Sequence, residues 1–295
     1  MKIGVITRNP EAWCSTQIRY ALEKNHLQSV FLSFRDLAAR VKMKPEVSTQ
    51  ETNIVKDLDA LIIRPIGRGS LEEIIYRMDL LHRLQRLGML IINSPLSIER
   101  SVDKYHTLAL LEERGLPVPQ TVVTENLEEA LKGFHELGGD VVIKPLFGSR
   151  GIGSTRVTDA DVAERLFRAI IFYHGVLYLQ KFTPHGDSDV RAFVVGDTVV
   201  AAMRRVASNW KTNVSLGARP VALNPSEELE KLAVEAARIL GCKIAGVDIL
   251  ESDEGPVIIE LNSQPGWRGL QTIASVNIAE KIVELVVSAM KTRND

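Results

Sequence analysis

The 295-residue chain has few cysteines, no excess of charge of either sign and no long apolar run. Its two cysteines, Cys14 and Cys242, lie far apart and outside any metal-type spacing, so we expect reduced thiols. Lys and Arg together number 36 and Asp and Glu 37, a net charge of -1, which gives no reason to expect a nucleic-acid partner. No run is long enough to span a membrane, and the apolar start at residues 1–7 is too short for the core of a signal peptide. We therefore expect a cytoplasmic globular protein without a membrane or nucleic-acid partner.

Hydrophobic residues make up 45% of the chain and charged residues 25%, which is ordinary for two or three globular domains. Residues 1–93 alternate predicted strands (3–7, 29–33, 60–63 and 89–92) with predicted helices, one around residue 21 and one over 71–87. This alternation predicts a parallel, doubly wound sheet. Thr7, Arg8 and Asn9 follow the first strand, where they could touch a ligand. No GxGxxG follows them, so the sequence does not predict a dinucleotide site.

Residues 94–183 contain a lysine at the end of an apolar strand, directly before a glycine-rich stretch. We predict helices over 102–114 and 127–137 and strands over 121–123 and 141–145, the last of which carries Lys144. Glycines in residues 147–154 let backbone amides approach phosphate oxygens, and the lysine supplies a positive charge. The stretch lacks the GK[ST] ending of a P-loop. It predicts a different phosphate site or, on the alternative reading, an ordinary mobile turn.

Residues 178–213 combine a strand, a connector and a predicted hairpin. The strand at 178–182 runs into residues 184–187, where backbone groups could meet an adenine edge, and Asp189 could meet a ribose hydroxyl. Strands 189–195 and 199–204 are predicted to pair across Gly196 and Asp197. Lys211, Thr212 and Asn213 add a cation, a hydroxyl and an amide. Plain sheet and an ordinary surface loop are the alternatives.

Two nearly apolar strands near the C-terminal end, 244–250 and 257–262, carry isolated acids. Glu260 and Asn262 lie two residues apart and so share one sheet face, which Asp248 reaches if the strands pair. A carboxylate among apolar residues is costly unless a cation holds it, and these hard oxygen donors suit Mg²⁺. The alternative is a hairpin whose acids face water.

Taken in order, these elements resemble the ATP-grasp superfamily and, within it, the carboxylate–amine ligases related to RimK. The resemblance spans essentially the whole chain and is carried by Asp103-Lys104, Asp189-Val190-Arg191 and residues 142–146, 148–153, 194–197, 211–213, 245–248 and 260–266. It implies an α/β fold of α+β modules. A Rossmann-like pre-ATP-grasp domain would occupy residues 1–93, a central ATP-grasp subdomain with a glycine-rich lid 94–183, and a C-terminal subdomain with the metal site 184–295.

The resemblance also implies a role for individual residues. Lys181 departs from the family's usual Gln-Glu pair, so the contact expected at this position is through the backbone. The residues matched to ATP contacts are Lys104, Lys144, Gly148, Ser149, Gly151, Gly153, Gln180, Lys181, Phe182, Asp189, Lys211, Thr212 and Asn213. Asp248, Glu260 and Asn262 match the ligands of Mg²⁺, for which two ions are expected and Mn²⁺ would be a substitute.

The chemistry expected of such a site is amide formation through an acyl phosphate, as in acid–amino-acid ligases. Arg191 and Arg205 are predicted catalytic residues that stabilise the negative charge, and Arg268 is predicted to bind substrate. The partners expected are a small-molecule carboxylate and L-glutamate, with a homodimer or homotetramer as the assembly.

Residues 61–73, 76–84 and 98–105 look most like the tetrahydromethanopterin α-L-glutamate ligases. Alternatives are a glutamate ligase acting on a ribosomal-protein tail, an amino-group carrier protein or a deazaflavin coenzyme, and a nucleotide-binding regulator without catalysis.

Overall fold

The computed structural model describes residues 1–148 and 151–294. Ser149 and Arg150 of the glycine-rich stretch therefore lie outside the described residues, and Ser149 as an ATP contact stays a prediction. Among the described helices, none combines the length and the apolar character that a membrane crossing requires.

The N-terminal part of the chain forms a parallel four-stranded sheet. Its elements are β1 (Lys2–Ile6), α1 (Trp13–Lys24), β2 (Gln28–Leu32), β3 (Ala38–Ala39), β4 (Val47–Ser48), α2 (Ile54–Asp57), β5 (Ala60–Ile63), α3 (Leu71–Arg86) and β6 (Leu90–Ile92). The strand order is β2-β1-β5-β6, with every neighbouring pair parallel. Ile3 and Val5 pack on the α1 side, whereas Ile6 packs on the α3 side. Both faces are thus covered, and the predicted doubly wound sheet is confirmed.

Helix α3 begins and ends within one residue of its predicted bounds, because Ser70 and Glu73 form a capping box at its start. The i, i+3, i+4 spacing of Ile74, Ile75, Met78, Leu81, Leu84 and Leu87 predicts an apolar face with Arg77 and His82 opposite it, and this prediction is partly wrong. Ile75 is 51% exposed, whereas Arg77, expected on the solvent side, is only 7% exposed. The Arg77 guanidinium pairs with Glu73 and donates to the carbonyl oxygen of Ile66, which satisfies the buried charge. His82, expected to be solvated or capping, bonds to Glu99 at 3.0 Å.

The central part forms an antiparallel sheet in the order β7-β10-β8-β9. Its elements are α4 (Pro95–Val102), α5 (Lys104–Glu112), β7 (Thr121–Thr124), α6 (Leu127–Glu136), β8 (Val141–Ile143), β9 (Thr155–Val157), α7 (Ala160–Phe172) and β10 (Leu177–Lys181). The helix predicted over 102–114 is confirmed as α5, whose ends lie two residues inside the predicted bounds. The Asp103 carboxylate accepts from the His106 backbone N–H at 3.0 Å and starts a new helix, which places Lys104 in its first turn.

The C-terminal part forms an antiparallel sheet in the order β13-β12-β11-β14-β15. Its elements are β11 (Ser188–Val195), β12 (Thr198–Val206), β13 (Arg219–Leu223), α8 (Glu227–Leu240), β14 (Ile244–Ser252), β15 (Gly255–Asn262), α9 (Arg268–Gln271) and α10 (Ile278–Asn294). Alternate residues of β11 face opposite sides. Val190, Ala192 and Val194 pack against α8, whereas Phe193 and Val195 pack into the core that includes the N-terminal sheet. The predicted hairpins β11–β12 and β14–β15 are both confirmed.

Asn93, at the end of β6, attaches the N-terminal sheet to the C-terminal one. Its buried amide nitrogen donates to the carbonyl oxygens of Ile244 and Ser263, each at 2.6 Å. Its amide oxygen accepts from the backbone N–H of Ile244 at 2.9 Å. The carboxyl edge of the parallel sheet is thereby held against the segment that follows β15. The domain boundaries at 93/94 and 183/184 stay predictions.

Candidate active site

A cleft between the central and C-terminal sheets gathers most of the predicted site residues. Those that line it are Lys104, Lys144, Gly148, Gly151, Gln180, Lys181, Phe182, Asp189, Arg205, Lys211, Thr212, Asn213, Asp248 and Glu260. Gly153, Arg191, Asn262 and Arg268 do not line it. Arg191 nevertheless contacts Asp248 directly, Asn262 lies on the strand of Glu260, and Arg268 is exposed at the start of α9.

The two lysines enter the cleft from neighbouring elements and contact neutral oxygens. Lys144 Nζ donates to Gln180 Oε1 at 2.5 Å, and Lys104 Nζ donates to the carbonyl oxygen of Gly148 at 2.9 Å. Burial lowers the pKa of Lys144 to about 8, an effect that Glu260 opposes and Lys104 reinforces. Burial likewise lowers the pKa of Lys104. Two ammonium groups without a bonded carboxylate favour an anionic ligand such as phosphate.

The glycine-rich loop closes one side of the cleft. Gly151 has φ of +69°, a conformation that favours glycine, and a Cβ at this position would collide with Asn213 Oδ1. The loop therefore packs directly on the segment that carries the predicted tripeptide Lys211-Thr212-Asn213. This contact joins the central and C-terminal parts over the cleft.

The floor of the cleft is built from cross-strand pairs. Asp248 of β14 lies opposite Glu260 of β15 on one side and opposite Arg191 of β11 on the other. The register shifts after Asp248, so that Ile259 and Glu260 both line the cleft although they are adjacent in sequence. Such a β-bulge redirects side chains beside a site. The predicted pairing of these two strands is confirmed, and it brings Asp248 and Glu260 together.

Two buried arginines hold the acids of this floor. Arg191 Nη1 donates to Asp248 Oδ1 at 2.5 Å, and Arg205 lies 3.1 Å from Asp248 Oδ2. Arg205 also pairs with Asp189 through two hydrogen bonds, so that both oxygens of the predicted ribose contact face a guanidinium. Burial would raise the pKa of Asp248, but Arg191 and Arg205 lower it on balance. Asp189 is therefore the ion-pair partner that fixes the position of the Arg205 guanidinium.

Glu260 differs from the other acids of the floor because no described residue donates a hydrogen bond to it. Burial raises the pKa of Glu260, and the charge of Asp248 raises it further. Within residues 1–148 and 151–294, no three His, Cys, Asp or Glu side chains form a metal-binding group. The predicted donor set contains two carboxylates and one amide, Asn262. An unpaired carboxylate beside these oxygens fits a hard divalent cation.

The far end of the cleft is apolar and aromatic. The Phe182 ring lies under the Arg156 guanidinium at 3.5 Å and edge-on to the Trp210 ring at 6.2 Å. The backbone N–H groups of Lys181 and Phe182 already donate to carbonyl oxygens of Gln120 and Asp140, each at 2.9 Å. An adenine contact at residues 181 and 182 would therefore use their carbonyl oxygens rather than these donors.

Several residues of this end were not predicted from sequence. His185 bridges two loops, with Nδ1 at 2.7 Å from the Thr183 carbonyl oxygen and Nε2 at 3.1 Å from that of Trp210. The sequence offers two signals for these residues. His185 lies in the predicted connector, and Trp210 directly precedes Lys211. The other unpredicted lining residues are apolar or small: Val142, Pro145, Ile152, Ser154, Thr183, Leu250 and Ile259.

Two family models and several named ligases match this chain. Residues 1–98 match the RimK PreATP-grasp domain, and residues 101–286 match the RimK-like ATP-grasp domain. The chain is 34% identical to the tetrahydromethanopterin:α-L-glutamate ligase of Methanococcus maripaludis, over 99% of both chains. It is also 34% identical to the enzyme of that name from Methanocaldococcus jannaschii, over 99% of this chain and 100% of the other. Identity is 32% to a probable α-L-glutamate ligase of Hahella chejuensis, with coverage of 97% and 94%.

The fold is also that of a solved ligase. The ATP-grasp ligase PsnB, complexed with a minimal precursor, Mg and ADP, superimposes with a TM-score of 0.76, covering 98% of each chain. Sequence identity to PsnB is 22%, so this likeness concerns the fold alone.

Proposed function

Because this chain belongs to the RimK-like ATP-grasp family, we propose that it joins the amino group of L-glutamate to a carboxylate of tetrahydromethanopterin at the expense of ATP. The chain is an ATP-dependent ligase. The observation that carries the proposal is the 34% identity, over nearly the full length, to enzymes named for this reaction. Archaeal and bacterial relatives share glutamate in their names, whereas only the archaeal names include the pterin. Glutamate is therefore the better supported of the two substrates.

The charges of the cleft support an anionic nucleotide. Six cations, the five that line the cleft (Lys104, Lys144, Lys181, Arg205 and Lys211) and Arg191 beside Asp248, stand against three carboxylates, Asp189, Asp248 and Glu260, which leaves a net charge of 6 − 3 = +3. The arginines are already paired with acids, so the excess lies on the lysines, among them Lys104 and Lys144. We assign the phosphates of ATP to these two lysines.

The residues of the cleft suit a two-step reaction. The substrate carboxylate attacks the γ-phosphorus of ATP, which gives an acyl phosphate and ADP. The glutamate amine then attacks the acyl carbon, loses its proton and expels phosphate through a tetrahedral oxyanion. Both steps concentrate negative charge, which Lys144, Lys104 and the fixed guanidinium groups of Arg191 and Arg205 stabilise from preorganised positions.

Asp248, Glu260 and Asn262 would hold Mg²⁺, which when bound neutralises charge on the phosphate oxygens. Glu260 is suited to this role because a cation would satisfy its unpaired carboxylate. We further propose that the site binds two Mg²⁺ ions and that Mn²⁺ can replace them.

An acyl phosphate must be shielded from water, and the packing of Gly151 on Asn213 supports such a role for the glycine-rich loop. The neighbouring Gly148 carbonyl is held by Lys104. We propose that this loop is the lid of the enzyme. We also expect a cytoplasmic homodimer or homotetramer, which light scattering of the purified protein would test.

The test is an assay of the purified protein with ATP, Mg²⁺ and L-glutamate. Reduced tetrahydromethanopterin, a deazaflavin coenzyme, an amino-group carrier protein and a ribosomal-protein tail serve as alternative carboxylate substrates. We expect one ADP per glutamyl unit added to the pterin, measured by ADP release and mass spectrometry. Extension of a different substrate alone would overturn the pterin assignment. No ADP release with any of them would favour a nucleotide-binding regulator.

A further inference from the structure

Arg64 is the one buried arginine of the described residues that lacks a carboxylate partner. Four arginines of the described residues are buried: Arg64, Arg77, Arg191 and Arg205. The last three pair with Glu73, Asp248 and Asp189, respectively. Arg64, which is 6% exposed, makes no ion pair within 4.0 Å among the described residues. A buried cation of this kind needs a counter-charge.

The contacts of Arg64 hold its guanidinium without neutralising it. Arg64 directly follows β5, and its Nη2 donates to the carbonyl oxygen of Pro265 at 2.9 Å. The guanidinium lies over the Trp267 ring, 4.8 Å from the centroid. Burial lowers the pKa of Arg64, an effect that the nearby Cys14 thiol opposes. The side chain is therefore fixed in place at a cost in desolvation.

The loop that Arg64 contacts contains two further donors without acceptors. Gln264 Nε2 and Trp267 Nε1 are buried and have no hydrogen-bond partner among residues 1–148 and 151–294. The Gln264 side chain is tied to the same region, because its Oε1 accepts from the backbone N–H of Ile66 at 3.3 Å. Unsatisfied buried donors are rare in folded proteins and indicate a missing acceptor. An ionised carboxylate is a pure acceptor with room for several donors.

The position of Arg64 relates this group of donors to the proposed chemistry. Pro265 lies three residues after Asn262, a distance that an extended chain spans within about 11 Å. Arg191 and Arg205, which we expected to be available for substrate, are paired with acids. A substrate carboxylate near the metal ligands could thus pair with Arg64, the buried guanidinium that no described carboxylate neutralises.

We propose that Arg64, together with the N–H groups of Gln264 and Trp267, binds a carboxylate of L-glutamate and so positions its amine for attack. The inference rests on the proposed function and names the residue that recognises the amine substrate. Because the nitrogens of Gln264 and Trp267 are buried, binding includes a shift of residues 264–267. The same chemistry would also accept a carboxylate of the acyl substrate, which the experiment distinguishes.

Steady-state kinetics of three variants test the assignment. Arg64→Met removes the charge, Arg64→Lys keeps it without the guanidinium fork, and Arg68→Gln removes an exposed arginine of the same loop as control. For Arg64→Met we expect KM for glutamate to rise by about 30-fold or more, with KM for ATP within about threefold of the wild-type value. Arg64→Lys should fall between Arg64→Met and wild type. A rise in KM for the acyl substrate instead would assign the carboxylate to that substrate, and unchanged values for both would overturn the proposal.

Chemical labelling of the wild-type protein tests the same assignment without requiring that the variants fold. Cys14 is partly exposed and close enough to Arg64 for their charges to interact, whereas Cys242 is buried and serves as an internal reference. We expect L-glutamate and the unreactive dicarboxylate glutarate to slow alkylation of Cys14 by iodoacetamide, measured by peptide mass spectrometry. Glutaramide, which is neutral, should have no effect.

If no carboxylate protects Cys14, the Arg64 site is refuted even for an active ligase. If carboxylates protect Cys14 but no substrate supports ADP release, the Arg64 site stands and the proposed function is refuted.

Discussion

Binding of ATP should be coupled to uptake of a proton by Lys144. Burial lowers the pKa of this lysine to about 8, and within the described part of the chain its ammonium donates a hydrogen bond only to the neutral oxygen of Gln180. Phosphate oxygens would stabilise the charged form and return the pKa toward its ordinary value. A group whose pKa rises on binding takes up protons at pH values between the two pKa values. The affinity for ATP should therefore fall as the pH rises above 8.

The size of the effect follows from the two pKa values. With a pKa of about 8 before binding and about 10.5 after it, the uptake is about 0.1 proton at pH 7, 0.5 at pH 8 and 0.9 at pH 9. Over the range from pH 8 to about 10, each pH unit should weaken binding by up to about tenfold. ATP itself is fully ionised in this range, so the change belongs to the protein.

Isothermal titration calorimetry at pH 7, 8 and 9 in buffers of different ionisation enthalpy measures this uptake directly. The matched control is Lys144→Arg, because a guanidinium stays charged throughout and cannot take up the proton. We expect uptake at pH 9 to fall sharply in this variant. Any remainder belongs to Lys104, whose pKa is also lowered by burial. Equal uptake by wild type and Lys144→Arg would refute the reasoning.

Further predictions concern the floor and the lid. Glu260→Gln should abolish ADP release while thermal unfolding stays near that of wild type, and near wild-type turnover would remove Glu260 from the metal ligands. Gly246→Ala should lower kcat by roughly 10²-fold, because its Cβ would collide with the Arg191 guanidinium and displace it from Asp248; a normal kcat would exclude Arg191 from catalysis. Gly151→Ala should release more ADP per amide formed, because a lid that no longer packs on Asn213 exposes the acyl phosphate to water; an unchanged ratio of ADP to product would contradict this role.

The elements that the sequence predicted well are those with a local cause. The strands that carry Asp248 and Glu260 are apolar runs interrupted by acids, and their pairing needs only the short turn between them. Helix α3 is bounded by a capping box that lies within four residues of sequence. The start of α5 also has a local signal, the N-cap aspartate Asp103, which sets this helix two residues after the predicted start at residue 102.

The arrangement of the floor could not be predicted in the same way, because it depends on strand register between distant segments. Arg205 meets Asp189 across a hairpin, but Arg191 meets Asp248, which lies 57 positions further along the chain. A shift of one residue would turn either side chain to the α8 face. The arginines were therefore expected to face substrate, whereas the structure pairs them with acids.

The burial of Arg64 could not be predicted from the local sequence. It stands in a predicted loop after a strand, where an arginine is ordinarily solvated, and its contact with Pro265 joins residues 201 positions apart. Only the assembled fold shows that this arginine is buried and that the other three buried arginines have acids beside them. The missing counter-charge thus becomes visible when the charges of the whole interior are compared. A fold rarely leaves such a cation unneutralised without a function. The comparison that explains Arg191 and Arg205 as paired parts of the floor therefore also indicates that Arg64 faces a ligand.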